Sequence, residues 1–357
     1  MRCVFEVDNL PLAVLRYNVG RSHKKTIRDT KMKKVAILAT ENSILSTIAA
    51  PMDMFLQAGV IWNITMGESP RPEFEVKIVT ADGQPITALN NIPVIPKCSM
   101  HEVAEVDLIV IPSQGFFYDI ESNVHRERVD WLSGWYDKGA DLASICAGAF
   151  VLASTGLLNG RKATTHWGLA NQFRKLFPKV DLRTDLMVTE EERLFCGGGI
   201  TADLNLSLHL IEKYCGRETA LRGSRCMLVD PDRTSQAIFA AFIPKKDHED
   251  DKILRAQELI EGRFKENIKM ETLAKQAGTS LRQFNRRFKS ATGETAVKYL
   301  QHTRVEAAKI LLVTTSRAFD EIASMVGYEN VSFLRRVFKS STGTTPAEFR
   351  RKFGNFD

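Results

Sequence analysis

The carboxy-terminal third of the chain contains one sequence unit twice, and this duplication decides the fold of that region. The first copy reads LAKQAGTSLRQFNRRFKSATG (residues 273–293) and the second reads IASMVGYENVSFLRRVFKSSTG (residues 322–343). With one extra residue after the first glycine the copies align, so that Gly278 meets Gly327. Such a close internal repeat indicates two copies of one structural unit.

Each copy has the pattern of a helix-turn-helix unit. The glycine allows the turn, and Ser280 or Asn330 suits the N-cap of the helix that follows. Apolar residues three and four apart predict the buried face of that second helix. They are Leu281, Phe284 and Phe288 in the first copy, and Val331, Leu334 and Phe338 in the second.

The opposite face of each second helix carries groups that suit DNA. Arginine can bind the edge of guanine and asparagine that of adenine, whereas lysine suits phosphates. A solvated helix face would explain any one of these side chains, but two matching sets favour DNA. The predicted contacts are Arg282, Asn285, Arg286 and Lys289, then Ser332, Arg335, Arg336 and Lys339.

One long helix is predicted between the copies, over AVKYLQHTRVEAAKILL (residues 296–312). It would hold the units at a fixed spacing, so that both recognition helices enter successive major grooves about one helical turn apart. Its predicted apolar side consists of Val297, Leu300, Val305, Ala308, Leu311 and Leu312.

The region before the repeats has a different sequence pattern, in which short apolar runs alternate with helical stretches. Such runs predict buried parallel strands in an open α/β sheet with helices on both faces. Ligands bind these sheets beyond the carboxyl ends of the strands. The four runs are VAILAT (35–40), EVKIVTA (75–81), VDLIVIP (106–112) and ADLASIC (140–146).

Cys146 lies at one such strand end, between the small residues Ser144 and Gly148. A nucleophile flanked in this way is typical of the sharp strand-to-helix turn called a nucleophile elbow. The helix start after it would favour the thiolate. A small buried residue at a tight turn would explain the same pattern without any chemistry, so the cysteine alone leaves the question open.

Length and charge indicate several domains with different partners. The chain has 357 residues, and by count its net charge is +4 over residues 1–31, −4 over 32–247 and +6 over 248–357. A basic carboxy-terminal region suits a polyanion partner. We predict a loose basic extension (1–31), a sensor domain (32–225), a linker (226–249) and a DNA-binding domain (250–353).

The six cysteines show no paired spacing, which favours free thiols in a reducing compartment over disulfides or zinc. No apolar run is long enough for a membrane span, and the first 31 residues lack a secretory core. We therefore expect a cytoplasmic protein with no metal, no cofactor and no membrane partner.

Residues 248–353 resemble the AraC-type DNA-binding domain, most clearly in GYENVSFLRRVFKSSTGTTPAEFR (residues 327–350). The resemblance implies that the middle of each recognition helix contacts bases in promoter DNA, and that the protein works with RNA polymerase. One departure is that Pro346 of the second copy is Ala296 in the first.

The stretch SICAGAFVLASTGLLNGRKATTHW (residues 144–167) resembles the PfpI-like branch of the class I glutamine-amidotransferase-like superfamily. Combined with the tail, it resembles the GlxA group of regulators, which implies a ligand-responsive protein that dimerises. The body departs from catalytic members of the superfamily. Many have histidine where Ala147 stands, others have glutamate where Thr47 stands, and a glycine pair that supplies an oxyanion donor is replaced by PSQG (residues 112–115).

We therefore expect the pocket to serve as a sensor rather than as a catalytic site. The CGGG segment (196–199) precedes a helix capped by Thr201, whose N–H groups could receive an anionic or amide group. Asp203 would face the pocket or simply favour the helix dipole. His166 could approach Cys146, or be a hydrogen-bonded structural residue beside Trp167. The predicted pocket residues are Thr47, Ser113, Cys146, Ala147, His166, Gly198 and Gly199.

Two alternatives remain open from the sequence. The body could be an active thiol hydrolase or hydratase that carries an accessory DNA-binding tail. It could also be a redox sensor that uses oxidation of Cys146.

Overall fold

The computed structural model describes residues 31–115 and 123–354, and these residues form two compact units. The first unit extends to Thr165 and includes residues 179–181 and 188–234. The second contains residues 166–178, 182–187 and the chain from Ser235 onward. The predicted basic extension lies outside the described residues, apart from Lys31. The units are not contiguous in sequence, since two short segments of the α/β region belong to the second one.

The strands are β1 (Lys33–Leu38), β2 (Phe74–Thr80), β3 (Ile86–Thr87), β4 (Pro93–Val94), β5 (Cys98–Ser99), β6 (Leu108–Ile111), β7 (Asp141–Ile145), β8 (Lys162–Ala163), β9 (Asp181–Leu182), β10 (Val188–Glu191) and β11 (Leu194–Gly197). The first helices are α1 (Ser46–Gln57), α2 (Ile61–Thr65), α3 (Asn123–Asp137), α4 (Gly148–Ser154), α5 (Ala170–Leu176), α6 (Ala202–Cys215) and α7 (Arg217–Met227). The later helices are α8 (Asp251–Arg263), α9 (Met270–Gln276), α10 (Leu281–Thr292), α11 (Ala296–Thr314), α12 (Phe319–Met325), α13 (Val331–Thr342) and α14 (Pro346–Phe353).

The main sheet has the strand order β10-β11-β7-β6-β1-β2-β5. The four predicted strands are confirmed as its parallel centre, because β1 pairs in parallel with β2 and β6, and β6 with β7. The sequence missed the strands at the two edges. They are difficult to recognise because β5 has only two residues and β10 reads VTEE, with a single apolar residue.

The register of the central strands brings three loops to one edge of the sheet. Ile111 pairs with Ser144 on β7, and Ser144 pairs with Cys196 on β11. The turns that follow these residues therefore start at the same level. Helices α1, α6 and α7 pack as one group and α3 and α4 as another, as expected for a sheet covered on both faces.

The helical part of the second unit contains two hydrophobic cores that share α11. One core joins α8, α9 and α10 to the first part of α11, with Phe284, Phe288 and Tyr299 fully buried. The other joins α12, α13 and α14 to the second part of α11 and includes Leu334 and Phe338. The predicted helix between the repeats is therefore confirmed, and both helix-turn-helix repeats pack on it.

Two residues predicted to be buried are exposed. Leu281 is 36% exposed and Val297 is 47% exposed, and each lies in the first turn of its helix. On α11 the buried aromatic is instead Tyr299, whose hydroxyl lies within hydrogen-bond distance of Gln257.

The predicted linker is partly ordered structure. Helix α7 continues to Met227, and residues 237–239 form a 3-10 turn. Ser235 donates its hydroxyl to the carbonyl of Asp185, and Gln236 donates its amide to the carbonyl of Leu186. From Ser235 onward this segment belongs to the second unit.

Candidate ligand site and nucleic-acid interface

The turn at Cys146 has the geometry of a nucleophile elbow. Cys146 has a φ of +53°, a left-handed conformation that a residue with a side chain rarely adopts. Two residues on, a Cβ on Gly148 would lie 2.4 Å from the carbonyl oxygen of Ile111, so only glycine fits. The Cys146 N–H donates to Gly197 (2.8 Å), and its carbonyl accepts from the Thr165 hydroxyl (2.7 Å). The predicted sharp turn is therefore present, with the side chain only 5% exposed.

Thr47 and Ser113 come together beside this strand edge. The Ser113 N–H donates to the Thr47 hydroxyl oxygen (3.0 Å), and that hydroxyl donates to the carbonyl of Ile44 (2.7 Å). The N–H of Gly115 donates to the carbonyl of Asn42 (2.9 Å). The Ser113 and Gly115 amides are thus bonded within the fold, which leaves these two poorly placed to stabilise an oxyanion.

The CGGG segment is only partly a loop, because Cys196 and Gly197 belong to β11. Thr201 occupies the N-cap position of α6, but its side chain makes no capping hydrogen bond. The N–H groups of Ala202 and Asp203 donate to the carbonyls of Gly199 and Ile200. The first amides of α6, predicted to be free for a ligand, are therefore already engaged. Gly198 and Gly199 remain candidates only through their position at the sheet edge.

Asp203 brings a buried carboxyl group to the same helix start. It is 2% exposed, and one of its oxygens accepts from the Leu204 N–H at 2.6 Å. Burial raises the pKa of Asp203 to about 7, against the opposing effects of that hydrogen bond and of the charge on Arg233. The group therefore changes charge near neutral pH.

His166 makes the contacts expected of a structural histidine rather than of a catalytic one. Its Nδ1 accepts from the Gly168 N–H (3.1 Å), and its ring lies 5.1 Å from that of Trp167. Burial lowers the pKa of His166, which favours the neutral ring. His166 belongs to the second unit, whereas Thr165 and Cys146 belong to the first. Thr165, which the sequence reasoning passed over, donates its hydroxyl to the Cys146 carbonyl.

The two recognition helices, α10 and α13, present equivalent surfaces. Ser280 and Asn330 cap them through the N–H groups of Gln283 and Phe333, and each helix ends at a glycine in the left-handed conformation. Phe288 on α10 and the aligned Phe338 on α13 are both buried. The predicted contact residues are all exposed: Arg282, Asn285, Arg286, Lys289, Ser332, Arg335, Arg336 and Lys339.

Some charged groups near these surfaces already have protein partners. Arg335 lies 3.0 Å from Asp320 on α12, and the Arg336 guanidinium lies over the ring of Phe333. Arg287 binds Asp250 through two hydrogen bonds, a role that the sequence reasoning missed. The aligned residue of the second copy, Val337, was the available signal that this position faces inward rather than toward DNA.

Neither a metal site nor a membrane span is found in the described part of the chain. Residues 31–115 and 123–354 contain no group of three or more His, Cys, Asp or Glu side chains that could hold a metal ion. No helix in the same ranges is long and apolar enough to cross a membrane.

Comparison with known families decides the relationship. The model of the DJ-1/PfpI family matches residues 33–213, which is half of the chain. The chain belongs to the DJ-1/PfpI family. A helix-turn-helix domain model matches residues 273–352, so this member carries a second, helical domain. Both resemblances drawn from the sequence are therefore confirmed.

Known relatives of this DJ-1/PfpI member include regulators and an enzyme. The chain is 24% identical over 322 residues to the HTH-type transcriptional regulator GbdR of Pseudomonas aeruginosa, covering 89% of this chain and 84% of the relative. It is 28% identical over 225 residues to the HTH-type transcriptional regulator GlxA of Rhizobium meliloti, covering 61% and 67%. It is also 27% identical over 150 residues to an isonitrile hydratase of Pseudomonas putida, covering 42% and 63%. The match to the hydratase covers less than half of the chain.

Proposed function

We propose that the chain is a sequence-specific DNA-binding transcriptional regulator, and that its DJ-1/PfpI domain binds a small metabolite instead of catalysing a reaction. The observation that carries this proposal is the pair of equivalent exposed surfaces on α10 and α13, both packed on α11. A helix pair of this kind suits successive major grooves. The relatives named as transcriptional regulators support the same function. We further propose that the protein binds promoter DNA, works with RNA polymerase and pairs with a second copy of the chain. We propose a cytoplasmic location for it.

The strand edge around Cys146 supports sensing more than chemistry. The elbow geometry is retained, but the Ser113 amide is bonded to Thr47, and Ala147 offers no acid or base. A thiol nucleophile needs a base and its oxyanion needs donors, so the described residues supply an incomplete set. A metabolite bound there would change DNA binding only by differing in affinity for two arrangements of the protein.

The test of DNA reading uses the full-length protein and a pool of random-sequence duplexes. We expect selection to enrich one sequence with two half-sites centred about one helical turn apart. Arg282→Ala and Arg336→Ala should each relax the preference in one half-site. Lys298→Ala is the matched control, because Lys298 is exposed on α11 outside both recognition helices. Salt-sensitive binding with no enriched sequence would refute sequence-specific recognition.

The rival function is an active thiol enzyme, which the elbow geometry and the hydratase relative favour. Consumption of an isonitrile is measured for the wild-type protein and for Cys146→Ser. We expect no turnover by either protein and identical DNA binding. Turnover by the wild type that disappears in the variant, with DNA binding unchanged, would favour the enzyme. Peroxide-dependent DNA binding that the same substitution abolishes would favour a redox sensor instead.

A further inference from the structure

A cavity of about 650 Å³ lies in the second unit, separate from the Cys146 turn. This volume is within the range of sites that hold small organic ligands. Its walls combine apolar side chains, Trp167, Phe242 and Val305 among them, with polar and charged ones. Phe242 is held in place by Tyr299 and His302, whose rings lie 5.0 Å and 5.2 Å from it. All lining residues belong to the one unit.

The charges around the cavity leave a positive surplus. Each lining carboxylate has a basic partner: Glu306 pairs with Lys309 (2.7 Å), Glu294 with His302 (2.9 Å) and Asp185 with Arg183 (3.1 Å). Three further cations line the cavity without an ion pair in the described part of the chain. They are Arg174 and Lys175 on α5 and Lys245 in the segment before α8. An anion can therefore enter without displacing any of these three contacts.

The cavity is also lined by residues at the ends of both recognition helices and by residues of α11. Thr292 and Gly293, at the end of α10, line it, and so does Ser341 near the end of α13. Glu306 and Lys309 belong to α11, the helix shared by both cores. Lys309 is 9% exposed and also donates to the carbonyl of Ala240 (2.7 Å), which ties α11 to another wall.

We infer that this cavity is a binding site for a small organic acid, a carboxylate with an apolar or aromatic body. Arg174 and Lys175 receive the carboxylate, since a guanidinium can hold both of its oxygens. The aromatic and aliphatic walls bury the body of the ligand. Because the cavity borders the ends of both recognition helices, its occupancy shifts their arrangement and alters DNA affinity. This last step rests on the proposed DNA-binding function, whereas the binding site itself does not.

The test uses full-length protein and three probes of similar shape: 1-naphthoate, its neutral amide and 1-naphthylmethylamine. Calorimetry without DNA measures binding. We expect the carboxylate to bind at least tenfold more tightly than the amide, and the amine not at all. Arg174→Glu should weaken naphthoate binding at least tenfold. Lys298→Glu, the same charge change on an exposed residue outside the cavity, should stay within twofold of the wild type.

A second variant separates the cavity from general charge effects. Ala241→Trp places an indole at a lining position and leaves the charge unchanged, so it should abolish naphthoate binding while circular dichroism stays native. Equal binding of acid and amide, or tight binding of naphthoate to both variants, would overturn the site. DNA affinity is then measured with and without saturating naphthoate, and we expect at least a threefold change in the wild type and none in Ala241→Trp. DNA binding that ignores a bound probe would overturn the regulatory step alone, and loss of all DNA binding would count against the proposed function instead.

Discussion

Asp203 is a residue at which burial and charge oppose each other. Its carboxyl group lies at the start of α6, almost fully buried, and burial raises its pKa to about 7. In the unfolded chain an aspartate ionises near pH 4. The folded state therefore keeps a proton that the unfolded state has lost between about pH 4 and pH 7. The stability that this group contributes is complete below that window and is lost as the pH rises through it.

Asp203→Asn should remove this pH dependence. The amide stays neutral, so the variant should match the wild type near pH 4 and be the more stable of the two at pH 8, by at most about 4 kcal/mol. Urea unfolding followed by tryptophan fluorescence measures this, since Trp62, Trp131 and Trp135 lie in the first unit. Glu68→Gln, at an exposed carboxylate, is the control. A stability difference that is the same at both pH values would contradict the buried ionisation.

Arg336 and Lys289 should differ in what they contribute to DNA binding, although both are exposed cations. Arg336→Ala should cost about 1–3 kcal/mol on the selected site and relax base preference at one position. Lys289→Ala should weaken binding to all sequences alike and lower the salt slope by about one. Binding titrations at several salt concentrations on selected and scrambled duplexes measure both effects. A sequence-selective loss in Lys289→Ala would rule out its assignment as a phosphate contact.

At the scale of elements, the sequence predicts those whose signal is local. The four central strands are continuous apolar runs, and the two repeats carry their own caps and turn glycines, so both could be recognised from residues alone. The edge strand β10 could not, because its four residues, VTEE, contain no apolar run, although only two residues separate it from its partner β11. Leu281 shows a related limit, since helical spacing predicts which face is apolar but not how far along the helix that face is covered.

The Cys146 site shows a different limit of prediction. The elbow was predicted, because it follows from small residues at fixed spacing. The sequence did not predict that the nearby Ser113 and Gly115 amides are hydrogen-bonded within the fold. Whether the Ser113 N–H is available depends on Thr47, which is 66 residues away in the chain, and only the fold brings the two together.

The caps of the recognition helices should carry measurable stability. Ser280→Ala removes the side-chain acceptor for the Gln283 N–H, and Asn330→Ala removes that for the Phe333 N–H. We expect each to cost about 1 kcal/mol, because an orphaned amide remains at the helix start. Ser290→Ala, at an exposed position inside α10, should be neutral or slightly stabilising. Thermal unfolding followed by circular dichroism compares the three, and an equal effect of all of them would contradict the capping role.

At the scale of the whole molecule, the two compact units do not follow the order of the chain. Residues 166–178 and 182–187 precede the end of the α/β region in sequence, yet they belong to the unit that contains the recognition helices. Gln236 contributes to this by accepting from the Trp167 N–H and donating its own N–H to Asp185. The sequence predicted a boundary in the linker, because composition changes there, but composition carries no information on which segments pack together.

The shared helix α11 leads to a prediction about DNA spacing. Both hydrophobic cores pack on this one helix, so the distance between α10 and α13 is set by the protein and not by a flexible linker. Inserting about five base pairs between the selected half-sites turns the second one to the opposite side of the duplex, because a helical turn is about 10 base pairs. We expect affinity to fall to that of a single half-site, and Arg336→Ala to have little further effect on the altered duplex. A ten-base-pair insertion is the control for orientation: it restores the side but not the distance, so affinity should remain low. Both affinities are measured by quantitative binding titration. Full affinity on either altered duplex would mean that the two helix-turn-helix repeats move independently, and that α11 does not hold them at a fixed spacing.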